Sequence, residues 1–322
     1  MIIRSVSIQG LAGLSSDPLD QLGRVVRVGG SPRCTRSLID GLLLGFGALE
    51  PLVAAGALGW LGVSAQEDQG SWVIGSPARL RGLLTPGPTS TVSVRLELEL
   101  DPPQFGALRE QAVTDPDLVD ALGEATLRLN TGWAFTTDNE VGTPSVLSAQ
   151  LGGHRLDLQT RKWVLPWLQG LGTRLNVHTP GRPDPVRWAR CGRSADPERR
   201  SAFHRAVRVL GRAPFELPAL HVVEEAGAPW LALGEELLPL ERFGPRAQNA
   251  VALVEAVFLD DAEILVVEEP GALSLRPRAV VNWLARQAEE EGSPLEQVFL
   301  VGPGGGLTLR SPQALQSRAL TL

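Results

Sequence analysis

Apolar and polar residues alternate along short segments in the first third of the chain, which is the pattern of strands with one buried face. Ile2–Ile8 alternates at the N-terminus, and Arg24–Val28 follows a turn. Val92–Leu100 (VSVRLELEL) alternates strictly, with Val and Leu on one face and Ser, Arg and Glu on the other. It predicts a half-exposed antiparallel strand. Between these strands, residues 29–32 (GGSP) are expected to break the chain before an apolar helix that begins at about Ser37.

The C-terminal third has the clearest succession of elements. An almost wholly apolar helix near Ala247–Leu259 is followed by a strand at Glu263–Val267. A helix from Pro277 to about Glu291 and a strand at Gln297–Val301 come next. Alternation of helix and strand predicts parallel pairing. A parallel sheet is covered on both faces, which explains why the first helix and strand have so little polar character.

One helix is clear in the middle of the chain, which extends from Asp101 to about Leu220. Asp196 is a suitable N-cap, Pro197 fits the first turn, and Gly211 can end the helix. Apolar residues recur at helical spacing between these ends. We therefore predict an amphipathic helix with arginines on its exposed side.

Composition favours a globular protein of a reducing compartment. The 322 residues are 43% hydrophobic and 20% charged, enough to bury a sizeable core. Cys34 and Cys191 lie far apart and form no CxxC motif, which suits the cytoplasm. The N-terminal segment lacks the apolar core of a signal peptide. The membrane-length stretch Leu38–Val63 contains Asp40 and Glu50, so we predict a buried helix followed by a turn.

Positive charge is concentrated in one segment of an acidic chain. The net charge is -6, yet ten arginines and three acidic residues lie between Arg174 and Arg212. Such a segment is either a solvated face or a site for an acidic protein or for the phosphate backbone of DNA or RNA. The candidate residues for an anionic partner are on the predicted central helix: Arg199, Arg200, Arg205 and Arg208.

The junction after the second predicted strand has the order of a phosphate-binding segment. Strand, Gly-rich loop and apolar helix follow one another in RVVRVGGSPRCTRSLIDGLLLGFGAL. A phosphate loop uses inward-pointing N–H groups of small residues, a Lys for the outer phosphates and a Ser or Thr for Mg²⁺. The only lysine in the chain is Lys162, far from this loop. A Gly-rich turn in any doubly wound fold is the alternative interpretation.

Two segments of the C-terminal third complete a resemblance to the heads of ABC-type P-loop ATPases, of the SMC, RecF and OLD-like AAA ATPase branch. AEILVVEEPGALSLRPRA resembles a Walker B segment, and LPLERFGPRAQNAVALVEAVFLDD resembles the signature segment that precedes it. The N-terminal IIRSVSIQGLAGL resembles the first strand and turn of these heads. The resemblance covers roughly Met1–Leu61 and Val223–Gly306.

Two registers of the loop remain open against this family. In one, Thr35 stands where the Lys belongs and Arg36 replaces the Mg²⁺ ligand. In the other, Arg36 replaces the Lys and Ser37 keeps the metal role. Pro32 removes one N–H from the phosphate cradle in both. The degenerate nucleotide-binding set is Gly29, Gly30, Thr35, Arg36 and Ser37.

The resemblance also implies site residues in the C-terminal segments. Glu268 takes the position of the Asp that orients the Mg²⁺ shell, and Glu269 takes that of the catalytic glutamate. Gly244 and Gln248 lie where such heads present a helix N-terminus to the partner's nucleotide, although no Ser occupies the signature position. Pro303 and glycines stand where the family carries a His for the γ-phosphate.

The implied fold is α/β of the P-loop NTPase type, with an antiparallel β lobe and a parallel core sheet flanked by helices. Within one head spanning 1–322, we expect a β lobe with the P-loop-like segment at 1–100, an inserted central lobe at 101–220 and a C-terminal core at 221–322. ATP and Mg²⁺ are the implied ligands, and the altered loop predicts weak binding or none. The expected assembly is a homodimer, or a heteromer with an intact ATPase or nuclease subunit.

Three hypotheses of function follow. The leading one is a pseudo-ATPase that serves as scaffold or regulatory subunit of a nucleic-acid maintenance or phage-defence complex. The second is a divergent but active ATPase that uses Arg36, Ser37, Glu268 and Glu269. The third is a nucleic-acid binding module that works through Arg174–Arg212.

Metal and nucleophilic chemistry have little support in the sequence. The histidines show no metal-ligand spacing with the cysteines, so no metal site is predicted. Cys34 has no neighbouring His and there is no GxSxG motif. The four histidines are His154, His178, His204 and His221.

Overall fold

The computed structural model shows a mixed α/β protein that folds into two compact units. The first is Met1–Leu175 with the C-terminal strand, and the second is Asn176–Gly302. The residues that the structure describes are 1–12, 14, 18–30, 32–85, 90–112, 125–136, 138, 140–157, 163–178, 183–222, 229–233, 236–260, 262–268, 277–303 and 319–321.

The first unit is built from these elements in chain order: β1 (Ile2–Gln9), β2 (Val25–Gly30), α1 (Pro32–Gly47), α2 (Pro51–Trp60), β3 (Ala65–Asp68), β4 (Ser71–Ile74), α3 (Pro77–Leu83), β5 (Ser90–Glu99), α4 (Pro102–Ala112), β6 (Thr126–Phe135), β7 (Val141–Leu151), β8 (His154–Arg155), α5 (Val164–Gly172) and β15 (Ala319–Thr321). The second unit contains β9 (Leu175–His178), α6 (Pro185–Gly192), α7 (Pro197–Leu210), β10 (Leu220–Val222), β11 (Pro229–Leu233), β12 (Glu236–Pro239), a 3₁₀ turn (Leu240–Arg242), α8 (Pro245–Phe258), β13 (Ile264–Glu268), α9 (Pro277–Glu289) and β14 (Gln297–Pro303).

Proline marks the beginning of nearly every helix. Eight of the nine helices in the described residues start at a proline. The first helical N–H has no partner within the helix, and the fixed φ of proline is already helical, so proline costs little there. At these eight positions proline coincides with a helix start, whereas Pro144 and Pro303 lie in strands.

An antiparallel sheet forms the main layer of the first unit, in the strand order β1-β5-β6-β7-β4-β3 with β8 beside β7. β5 is paired on both sides, with Leu96 opposite Val6 of β1 and opposite Leu129 of β6. The aliphatic residues of Val92–Leu100 are at most 5% exposed, while Arg95 between them is exposed. The prediction of a half-exposed antiparallel strand is confirmed.

Helix α1 packs closely on this sheet because glycines, Gly41 and Gly45, lie at two of the contact positions. A Cβ on Gly41 would lie 2.5 Å from Ile8 of β1, and one on Gly45 would lie 2.8 Å from Val94 of β5. The indole N–H of Trp133 donates to the carbonyl of Leu44 over 2.8 Å. The expected buried helix and turn are confirmed, since α1 is followed by a turn and then by α2. No helix in the described part of the chain has the length and apolar character needed to cross a membrane.

The second unit has an apolar core around α8. Residues 249–258 of this helix are all buried, and Ile264–Val267 of β13 are fully buried. β13 and β14 pair in parallel, with Ile264 opposite Gln297. Trp283 of α9 packs edge-on against Phe215 at 5.0 Å between ring centroids. The predicted alternation of helix and parallel strand is therefore present here, and β15 is also parallel to β2 in the first unit.

The predicted central helix is confirmed with its caps. The Asp196 carboxylate accepts from the N–H of Glu198 over 2.9 Å, Pro197 begins α7, and Gly211 caps its C-terminus. Elsewhere in the segment 101–220, β6 and β7 belong to the antiparallel sheet of the first unit. The division of the chain into a β lobe, an inserted central lobe and a C-terminal core stays a prediction.

Candidate functional site

The junction between β2 and α1 is the candidate nucleotide segment, and it is shorter than expected. β2 ends at Gly30 and α1 begins at Pro32, so the expected helix start at about Ser37 is wrong. Pro32 begins the helix instead of breaking the chain, for the reason that applies to the other helices. One residue, Ser31, separates strand from helix, and it lies outside the described residues. Positions 32–37, which both registers treated largely as loop, are helical.

The two glycines of the candidate loop belong to a strand. Gly29 and Gly30 are the last residues of β2, and Gly29 is opposite Thr321 of β15. A Cβ on Gly29 would meet nothing within 4 Å. Crowding therefore gives no reason for glycine at this position.

The two candidate hydroxyl groups face the interior of the first unit. Thr35 is 6% exposed and its Oγ1 donates to the carbonyl of Pro32 over 3.1 Å. Ser37 is 3% exposed and its Oγ donates to the carbonyl of Ala12 over 2.7 Å. Both hydroxyls thus satisfy backbone groups, and the Ser37 contact ties α1 to the segment after β1.

Arg36 contacts Asp40 of its own helix and Trp60 of α2. Its Nε lies 3.2 Å from Oδ1 of Asp40, and its Nη2 donates to the carbonyl of Trp60 over 3.1 Å. Its guanidinium stacks on the Trp60 ring, 4.2 Å from the centroid. The Asp40 side chain is 1% exposed and also accepts from the Trp60 indole N–H over 3.1 Å. Arg36 therefore neutralises a buried carboxylate of its own helix.

One of the two Walker B-like acids lies at the end of β13. Glu268 is the last residue of this strand and is half-buried, opposite Val301 of β14. This agrees with the expected strand end. Glu269 lies outside the described residues, so its catalytic role, like the metal role of Glu268, stays a prediction.

The signature-like glycine lies at the beginning of α8. Gly244 is the exposed N-cap residue, and a Cβ there would meet nothing within 4 Å. Gln248 Nε2 donates to the carbonyl of Phe243 over 3.0 Å and so fastens the chain that enters the helix. The helix start is where the resemblance puts it, while contact with a partner's nucleotide stays a prediction.

A buried acidic cluster in the second unit was missed by the sequence interpretation. Glu255 of α8 is 5% exposed. Its Oε2 accepts from the indole N–H of Trp188 over 2.7 Å and from the N–H of Asp184 over 2.8 Å. Arg187 bridges Glu255, at 3.3 Å, and Asp260. Burial raises the pKa of Glu255 to about 7, against the lowering effect of these donors.

The signal for this cluster was an acid inside an apolar helix. Glu255 interrupts AVALVEAVF, and an acid in a buried helix needs partners. Its partners come from α6, about seventy positions earlier, so the sequence offered no way to identify them.

His178 is the second perturbed group. It is 6% exposed, and burial lowers its pKa to about 4. Its Nε2 has no hydrogen-bond partner among the residues that the structure describes. Within those residues no three His, Cys, Asp or Glu side chains are grouped so that they could hold a metal ion.

The arginines of α7 do not all share one face. Arg199 lies 3.8 Å from Asp196 and points away from the others, since it is about 100° from Arg200 around the helix. The remaining candidates line an open groove of about 510 Å³, which we name the α7 groove. Its lining residues are Pro197, Arg200, Ser201, His204, Arg205 and Arg208.

Comparison with known proteins shows the fold. No protein-family model and no curated protein matches the sequence. The structure is similar to an SMC head bound to the C-winged helix domain of ScpA, with TM-score 0.51, 14% identity, and 94% of this chain and 90% of that chain covered. The chain therefore has the mixed α/β fold of an SMC head, which confirms this part of the sequence-based resemblance.

Two other SMC heads are less similar to this chain. The SMC head domain from Thermotoga maritima has TM-score 0.43 and 12% identity, with 94% of this chain and 90% of that chain covered. The Smc head with an extended coiled coil, bound to the C-terminal domain of ScpA derived from Pyrococcus furiosus, has TM-score 0.48 and 10% identity, with 94% and 89% covered. The relation to the RecF and OLD-like branch stays a prediction.

Proposed function

We propose that this chain is a pseudo-ATPase, a protein with an SMC-head fold that works without bound nucleotide. Its role is that of a scaffold or regulatory subunit in a nucleic-acid maintenance or phage-defence complex. The observation that carries the proposal is the start of α1 at Pro32, with a single residue between it and the end of β2 at Gly30. A P-loop wraps phosphates with N–H groups of several loop residues, and this junction leaves one residue for that purpose.

The side chains that would have to contact ATP and Mg²⁺ also support the proposal. Ser37 would have to leave the Ala12 carbonyl and reach a hydrated ion from a buried position. Arg36 would have to leave Asp40, and a buried carboxylate without its cation is costly. Nucleotide binding would therefore be opposed by the loss of contacts that hold α1 in place.

A protein of this kind acts through the partners that it holds. The similar SMC head is bound to the C-winged helix domain of ScpA. By analogy we propose that this chain forms a homodimer, or a heteromer with an intact ATPase or nuclease subunit, in the cytoplasm. The exposed start of α8 at Gly244 is the proposed contact, because a Cβ there would meet nothing within 4 Å.

Isothermal titration calorimetry with ATP and Mg²⁺ up to millimolar concentration tests the proposal. We expect no saturable heat and no phosphate release. Ser37→Ala is the internal control, because it should lower the melting temperature and leave the ATP titration unchanged. Saturation at micromolar ATP, with turnover lost in Glu269→Gln, would contradict the proposal. It would favour the divergent ATPase that uses Arg36, Ser37, Glu268 and Glu269.

A further inference from the structure

We propose that the α7 groove binds the phosphate backbone of duplex DNA. This surface lies within the second unit and does not involve the β2–α1 junction, so the inference is independent of the pseudo-ATPase proposal. Binding of this kind is electrostatic and does not read the sequence of the DNA.

The charges of the groove are available to an anion. Arg200 and Arg208 are exposed, and neither forms an ion pair within the described part of the chain. Arg205 is also exposed, and its Nη1 donates to the carbonyl of Gly292 over 3.2 Å. A carbonyl is a neutral acceptor, so this contact orients the guanidinium without cancelling its charge. Three exposed acidic residues, Glu289, Glu290 and Glu291, precede Gly292, so Arg200 and Arg208 are the test positions.

The spacing of two arginines and the histidine between them suits a phosphate backbone. Arg200, His204 and Arg208 follow one another at intervals of four residues, which is about 6 Å along a helix. The row is therefore about 12 Å long. One strand of duplex DNA carries a phosphate about every 3.4 Å of axial rise, so the row spans about three or four phosphates. Guanidinium groups match phosphate oxygens in a bidentate manner.

The lining of the groove favours DNA over an acidic protein. Protein interfaces are centred on buried aromatic or aliphatic anchors. The α7 groove is lined by arginine, histidine, serine and one proline. The lining residues that the structure describes include no aromatic or aliphatic anchor, whereas serine and arginine are frequent ligands of the phosphate backbone.

Fluorescence anisotropy with a labelled 30-bp duplex tests the inference on the full chain. We expect binding at 50 mM salt that weakens about 40-fold by 200 mM, as expected for about three neutralised phosphates at a log-log slope of about -0.9 each. The double variant Arg200→Gln/Arg208→Gln should reduce the slope by about two units. Arg190→Gln/Arg199→Gln removes the same charge outside the groove and should leave the slope near that of the wild type.

Three results would overturn the inference. The first is no binding at 20 mM salt by a wild-type chain with a normal melting curve. The second is an equal loss of binding in the two double variants, which would indicate a response to net charge. The third is tighter binding of poly-glutamate than of the duplex at matched charge and salt, which would indicate a site for an acidic protein.

Discussion

The indole N–H of Trp188 donates to the buried carboxylate of Glu255 over 2.7 Å and joins α6 to α8. Trp188 is fully buried, and Glu255 is 5% exposed. Burial nevertheless raises the pKa of Glu255 to about 7, so the hydrogen bonds offset only part of the cost of removing the charge from water. Glu255 is therefore one of the pH-sensitive groups of the second unit.

Glu255→Gln should change the pH dependence of stability in a defined direction. Between pH 4.5 and about 7 the folded state binds more protons at Glu255 than the unfolded state does, so the free energy of unfolding falls as pH rises. The full effect is about 3 kcal/mol, at 1.36 kcal/mol per pKa unit. Urea unfolding at pH 4.5 to 8 should show the wild type losing this amount relative to Glu255→Gln. A difference that stays constant with pH would contradict the assignment.

His178→Gln should have the opposite effect. The pKa of His178 is lowered to about 4, so the unfolded state binds the proton first, and stability is lost as pH falls from 6.5 to 4. The change in the free energy of unfolding is again about 3 kcal/mol. Relative to His178→Gln, the wild type should gain stability as pH rises across this window.

The two groups together make a sharper test. Their windows overlap between pH 4.5 and 6.5, where their contributions have opposite signs. In His178→Gln, the slope of the free energy of unfolding against pH should therefore be the one due to Glu255. In Glu255→Gln, it should be the one due to His178. The double variant should return to a slope close to that of the wild type. If both single variants shift the slope in the same direction, one of the two pKa assignments is wrong.

Gly41→Ala should destabilise the first unit. The added methyl group would lie 2.5 Å from Cδ1 and 2.8 Å from Cγ2 of the buried Ile8, so either the Ile8 side chain or α1 must shift. Such overpacking costs about 1–3 kcal/mol, less the helix propensity gained by replacing glycine. Gly56→Ala in α2 is the matched control, because it meets nothing within 4 Å and should stabilise by about 0.5–1 kcal/mol. Equal effects of the two variants in urea unfolding would refute the close packing.

Gly244→Glu should prevent assembly if the start of α8 is the contact surface. The new side chain has open space around it, so folding should be unaffected, while its charge would oppose a helix start facing a partner's anionic groups. Light scattering, with and without ATP and with co-expressed neighbouring subunits, measures the assembly. Gly82→Glu introduces the same charge at another uncrowded position and should change nothing. A wild type that stays monomeric and captures no partner would remove support for this surface.

Much of the local structure could be predicted from the sequence. The strand over Val92–Leu100 was identifiable because its alternation matches the period of a half-buried strand. α7 was identifiable because Asp196, Pro197 and Gly211 carry the chemistry of helix ends within one short segment. The first half of α1 was misjudged because a proline has two local meanings, helix breaker and helix start. At Pro32 the structure shows a helix start, as at seven other prolines.

The candidate site depended more on long-range contacts. The sequence indicated a guanidinium group at Arg36 and a hydroxyl group at Ser37, but their respective partners Trp60 and Ala12 are more than twenty positions away. The position of Arg199 outside the α7 groove follows from helical phase, which a count of arginines along the chain does not consider.

By itself, the sequence determined the order of strands and helices, the helix caps and the apolar segments that form the core, because these depend on residues within one or two turns of each other. Tertiary structure decided which polar side chains are engaged in contacts within the protein. Ser37 and Arg36 are engaged inside the first unit, Glu255 is held by residues of α6, and three arginines line one groove. The reason is physical: burial and hydrogen bonding join residues that are distant in sequence, and they determine which charges and hydroxyls remain available to a ligand.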